Sequence, residues 1–161
     1  MRSKGLQRGS AERRLAELGI GLSPAPTPLG AYVESVQTGT MLHLSGILPV
    51  IGGVPKFVGP LGREYNVEQG REAARIAALN VLSVAREHLG SLDKVTRVVK
   101  LTTYLAAQED FLALPKVADA ASELLRDVFG EDKLPVRMVL GVASLPLGVP
   151  VVLEVLFEVE A

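Results

Sequence analysis

The chain has no cysteine, which removes disulfides, thiolate zinc sites and cysteine nucleophiles. Tryptophan is also absent and aromatic residues make up only 4% of the sequence, so platforms for stacking nucleic-acid bases are poorly supplied. Two histidines, His43 and His88, are too few for a histidine-rich metal site, and no metal is expected. There is no excess of either charge: the formal net charge is -1 at pH 7. A basic stripe of the kind that releases counterions from DNA or RNA is therefore missing, and nucleic acid is not an expected partner. Arg2, Lys4, Arg8, Arg13 and Arg14 do gather near the start. They read first as a solvated arm or short surface helix, and second as a contact for an anionic partner. No apolar run reaches a signal peptide's length or the roughly 18 residues of a membrane span, so a cytoplasmic protein without a membrane partner is expected.

What remains is ample for a core. A chain of 161 residues fits one domain that buries about 70% of its unfolded surface. The expected organisation is an arm and short helix over residues 1–22, disordered to about residue 10, followed by a single domain over 23–161. Ser10 caps the short helix Ala11 to Leu18, and Ser23 to Gly30 is a proline-fixed extended linker. Strands are predicted at Tyr32 to Val36 and Thr40 to Leu48, with a turn at Thr38 and Gly39. Ile51 to Gly62 reads as a Gly- and Pro-rich loop holding at most a short strand near Lys56 to Val58. Asn66 caps a helix ending at Leu89 before Gly90; Val95 to Leu105 is a strand; Pro115 opens a second helix ending near Gly130. The last stretch, Leu134 to Glu160, reads as two strands joined by a turn. This order predicts an α+β fold, a mixed sheet with two helices packed on one face.

Two helices leave the other face uncovered. Strand alternation assigns to it His43, Ser45, Lys100, Thr102, Tyr104, Arg137, Glu154 and Glu158, interleaved with Met41, Ile47, Val98, Val139, Val152 and Leu156. That mixture is too apolar for a solvated face and too polar for a dry core, and it predicts a homo-oligomer with polar pockets in its interface. Arg137 has two readings at this point: a ligand-binding cation, or one half of a structural ion pair with Glu154 or Glu158.

The segments PLGAYVESVQTGTMLHLSGILPV, LTTYLAAQEDF and LPVRMVLGVASLPLGVPVVLEV resemble, in order, three motif regions of the Rid/YjgF family. These are the reactive intermediate (imine) deaminases, also described as L-PSP endoribonuclease-like. The N-terminal segment and the helix VADAASELLRDVFG are more like its YjgF/chorismate-mutase-like subgroup. The resemblance implies a chorismate-mutase-like fold, a homotrimer packed through its sheets, clefts between subunits, and no cofactor. It implies that Arg137 grips a substrate carboxylate, that Tyr32, Ser45 and Gly46 line the cleft, and that Asp119 occupies the position of the family's helix asparagine near the cleft. One position departs: the first of two paired glutamates in the last strand, which positions water, is Val152 here, and only the second, Glu154, is kept. Glu154 is therefore the candidate catalytic carboxylate. Ideal strand spacing puts it about 7 Å from the vacant position, and weak imine hydrolysis is expected.

The resemblance thus implies a small carboxylate-bearing metabolite as ligand, with hydrolysis of an enamine or imine to a keto acid and ammonia. A non-catalytic ligand-binding regulator is the alternative that Val152 favours. Endoribonuclease or translation-inhibitor activity comes third, against the charge balance.

Overall fold

The computed structural model describes residues 9–161; the expectation for Arg2, Lys4 and Arg8 lies outside them. Helix α1 (Ala11–Glu17) starts where the Ser10 side chain accepts a hydrogen bond from the Arg13 amide. Ala11 and Leu15 are buried in the main core, so this short helix is packed on the domain. Glu12 clamps it in place: Arg86 donates to both carboxylate oxygens, at 3.1 and 2.6 Å, and the Leu92 amide donates at 2.9 Å. The Arg86 hydrogen bonds hold the Glu12 carboxyl below its ordinary value, against the opposing effect of burial and with help from the Leu92 amide.

A group stabilised in its charged form contributes fully above its unfolded-state pKa, and loses that contribution as pH falls through the lower folded one. Glu12→Gln is therefore expected to lower stability by about 1–2 kcal/mol near neutral pH, discounted for partial exposure. The gap to wild type should close in acid, below the ordinary carboxylate value of 4.5. Thermal melts of both proteins between pH 7 and pH 3 check this; a gap that is constant with pH contradicts it.

Strands β1 (Ser35–Thr38) and β2 (Met41–Leu44) form a hairpin pairing Thr38 with Met41, with Gly39 at φ +60°. The turn thus falls at Gly39 and Thr40, one residue later than expected, and β2 stops short at Ser45 and Gly46. A second hairpin, β3 (Val50–Ile51) with β4 (Val54–Pro55), replaces the loop and the short strand expected near Lys56. Its turn is Gly52–Gly53, both at positive φ, as a tight two-residue hairpin turn requires. Helix α2 (Val67–Leu89) begins with a reciprocal capping box between Asn66 and Gln69 and ends on Gly90. Strand β5 (Val95–Ala106) leads through helix α3 (Leu114–Phe129) to β6 (Val136–Val142), and β7 (Val151–Val159) closes the chain. Where α2 meets α3, a Cβ on Gly70 would stand 2.8 Å from Leu61 and 3.1 Å from Val117, so only glycine allows this approach.

The five-stranded sheet has the order β1-β2-β7-β5-β6. The last two strands are therefore not a hairpin. The α3 crossover returns β6 parallel to β5 on its outer side, and β7 then runs antiparallel on the inner side, between β5 and β2. Helices α2 and α3 cover one face, and the fold is α+β with a mixed sheet, as expected. Leu42, Leu101, Leu105, Leu153, Val155 and Phe157 form the sheet side of the core.

Face assignments change in three places. Bulges in β5 turn Val98 into the core. The break at Ser45 and Gly46 sends Ile47 to the core, bridged to Leu153, and Leu48 to the other side with Val152. Most consequentially, parallel register sets Arg137 beside Leu101 and Val139 beside Thr103. Arg137 thus lies on the helix side, while Val136, Met138 and Leu140 turn outward at 69%, 50% and 39% exposure.

One core group is unsatisfied. Thr103 in β5 is fully buried and its hydroxyl has no hydrogen-bond partner among the described residues. Thr103→Val keeps the branched shape and removes the cost of the stranded hydroxyl, so it is expected to stabilise the protein by about 1–2 kcal/mol. Chemical denaturation would read this as a higher midpoint with an unchanged slope; a lower midpoint would show that the hydroxyl has a partner.

Candidate ligand site

The sequence-derived site residues fall into two groups on one chain. The first lies where β2 breaks. Tyr32, Ser45, Gly46 and Val152 line an open cleft of about 410 Å³ with Leu29, Leu48 and Pro146. The loop before β1 folds back on itself, with the Leu29 amide donating to the Tyr32 hydroxyl at 3.0 Å. Gly46 lies close over β7: a Cβ there would meet Val152 at 3.1 Å. On the rim, Leu147 holds a left-handed backbone (φ 56°, ψ 12°). That conformation costs a non-glycine residue about 1–2 kcal/mol and is typical of segments shaped by a site.

The second group lies on β6, an edge strand of the sheet. Arg137 Nη1 donates to Asp119 Oδ1 at 2.6 Å and to Ser122 Oγ at 3.1 Å, both on α3. The ion-pair partner is thus a helix aspartate, and neither Glu154 nor Glu158. The reason is the register that puts Arg137 on the helix side. Asp119 and Ser122 hold one end of the guanidinium, and its Nε and Nη2 have no recorded partner among the described residues. That leaves the side-on pair of donors that matches a carboxylate in two-point geometry.

Glu154 is exposed on β7 opposite Thr102, two residues beyond Val152, and does not line the cleft. Glu158 accepts from the Thr96 hydroxyl at 2.7 Å. His43 is exposed beside Leu156, and Asn80 ties α2 to the β3 segment by donating to the Leu48 and Val50 carbonyls. Sequence reasoning missed one acid. Glu34, just before β1, accepts a 2.6 Å hydrogen bond from the Ser45 hydroxyl, while its own carbonyl accepts from the Ser45 amide. The hairpin register held the signal: a turn at Gly39–Thr40 extends the pairing of Ser35 with Leu44 to Glu34 with Ser45.

Only β5 stands between β7, which carries Val152, and β6, which carries Arg137. Val152 is level with Leu140, three residues along β6 from Arg137. Two strand spacings across and three residues along the sheet separate them by roughly 14 Å, and they also project from different faces. A ligand of a few heavy atoms cannot touch both on one chain.

The fold has relatives. The model of the family described as "YjgF/chorismate_mutase-like, putative endoribonuclease" matches residues 12–159. The chain belongs to this YjgF/Rid family. It is 40% identical over 153 residues to Protein TCP17 of Trypanosoma cruzi, covering 93% of this chain and 94% of that one. It is 29% identical over 137 residues to a 2-iminobutanoate/2-iminopropanoate deaminase of Dermatophagoides farinae, covering 84% of this chain and 91% of the other. Among solved structures, a protein of unknown function from Agrobacterium tumefaciens superposes with a TM-score of 0.86 at 34% identity, covering 93% of this chain and 92% of that chain. Among the described residues no helix is long and apolar enough to cross a membrane.

Proposed function

We infer that this protein binds a small 2-oxo or 2-imino acid in clefts between the copies of a homotrimer, and hydrolyses the imine to keto acid and ammonia. The observation that carries this reading is Arg137, fixed through Nη1 by Asp119 and Ser122 with its Nε and Nη2 edge unpartnered. A site using both that edge and the Tyr32–Ser45 cleft needs a second copy. The outward-facing Val136, Met138 and Leu140, with Val36 on the same side, are the surface such a copy would cover. The imine class rests on family membership and on the similar deaminase. No cofactor enters this chemistry, in which orientation of substrate and water supplies most of the rate.

A second reading, a ligand-binding regulator without catalysis, is favoured by Val152, whose apolar side chain stands in the cleft wall. Two measurements separate them. Calorimetric titration with 2-oxobutanoate reads binding, and ammonia release from enzymatically generated 2-iminobutanoate reads hydrolysis. Binding with accelerated release supports the first reading; binding alone supports the second; neither one refutes both.

A further inference from the structure

Val152 gives the cleft no carboxylate with which to activate a water, but a carboxylate lies one hydrogen bond away from it. The 410 Å³ cleft adjoins a smaller cavity of about 70 Å³, with Leu29, Tyr32, Gly46 and Leu48 common to both. Glu34 lines the smaller cavity and Ser45 the larger one. Their 2.6 Å hydrogen bond joins the two. Because a carboxylate can only accept, the Ser45 proton is committed to Glu34, and the serine oxygen keeps both lone pairs to offer to the cleft. Ser45 is thereby set up to accept from a water or an imine N–H, and not to donate to a substrate carboxylate. Among the described residues Glu34 has no cationic partner within salt-bridge distance, so its charge is not already spent on an ion pair.

We propose that Glu34 and Ser45 form a proton relay that activates the attacking water, in place of the glutamate that Val152 lacks. This rests on the imine-hydrolase reading above. In the first step the water oxygen bonds to the iminium carbon and the C=N π pair moves to nitrogen. One water proton passes to Ser45 Oγ as the serine proton passes to Glu34, giving a neutral carbinolamine. In the second step Glu34 returns that proton through Ser45 to the amine nitrogen. The C–N bond then breaks with its electron pair leaving as ammonia. The carbinolamine hydroxyl becomes the ketone, and its proton leaves by the same relay to the departing ammonia. The sum is iminium plus water giving keto acid plus ammonium, with no redox change. Ser45 touches the water and is the catalytic residue; Glu34 acts through it as a positioning residue and proton store.

The test uses full-length protein and 2-iminopropanoate generated in situ by an amino-acid oxidase from alanine. Glu34→Gln is expected to lower kcat by about 100-fold with KM within about twofold, and Ser45→Ala to do the same. The double variant should be no slower than either single one, because the two residues act as a unit. Formate should restore part of the activity of Glu34→Ala, which a purely structural role would not allow. A fast Glu34→Gln beside an active wild type overturns the relay and leaves the hydrolase reading standing. A slow Glu34→Gln with a fast Ser45→Ala overturns the route through serine. A wild type that does not accelerate hydrolysis at all removes the hydrolase reading, and the relay with it.

Discussion

Arg137→Ala is expected to weaken binding of a 2-oxo acid by about 30- to 150-fold and to leave the proposed trimer assembled. The size follows from the two charge-assisted hydrogen bonds that the Nε and Nη2 edge makes to a carboxylate, together about 2–3 kcal/mol at a partly desolvated site. The assembly survives because the side chain reaches back to α3 and is not part of the outward apolar surface. Arg137→Lys should recover little of the loss, since an ammonium cannot hold Asp119 and present two parallel donors at once. Isothermal titration with 2-oxobutanoate reads the effect. Wild-type affinity in the alanine variant would mean that the carboxylate is held elsewhere.

Met138→Asp is expected to break the proposed trimer into monomers at micromolar concentration and to abolish ligand binding while leaving each chain folded. Met138 is 50% exposed on the single chain, flanked on the same face by Val136 and Leu140. A carboxylate costs nothing there in a monomer, but burying it unpaired in an interface costs about 3–5 kcal/mol per copy. Light scattering with circular dichroism distinguishes the outcomes. A trimer that tolerates the aspartate would place the interface on another surface.

Periodicity made the helices and the core readable. Asn66, Gly90 and Pro115 marked helix ends by chemistry that acts within a few residues, and the capping box at Asn66 carries that chemistry in the structure. The faces were less readable, because one irregular residue inverts everything after it. The bulges of β5 moved Val98, and the break at Ser45 and Gly46 exchanged Ile47 with Leu48. Arg137 was misplaced for a different reason. Alternation in β6 shows that Arg137 opposes Val136, Met138 and Leu140, but not which set faces the helices. An edge strand whose apolar set points away from the core defeats the rule that apolar means inward. The sequence pattern therefore named the candidate residues and could not show that Arg137 stands on an edge strand, across β5 from Val152 and on the other face. Glu34 escaped because a turn read at Thr38–Gly39 pairs it with His43, whereas the observed turn pairs it with Ser45.

The central claim is that each ligand site is built from two copies, Arg137 from one and the Tyr32–Ser45 cleft from its neighbour. Subunit mixing tests it directly. Arg137→Ala removes one half, and Gly46→Leu fills the other, because a side chain at Gly46 points against Val152. Each variant alone should fail to bind 2-oxobutanoate. Unfolded together in equal amounts and refolded, the two should form mixed trimers in which about a quarter of the sites pair an intact arginine with an intact cleft. Titration of the mixture should then recover wild-type affinity at about a quarter of wild-type capacity. If the refolded mixture binds no better than the separate variants, although mixed trimers are demonstrably present, both halves belong to the same chain and the account is wrong.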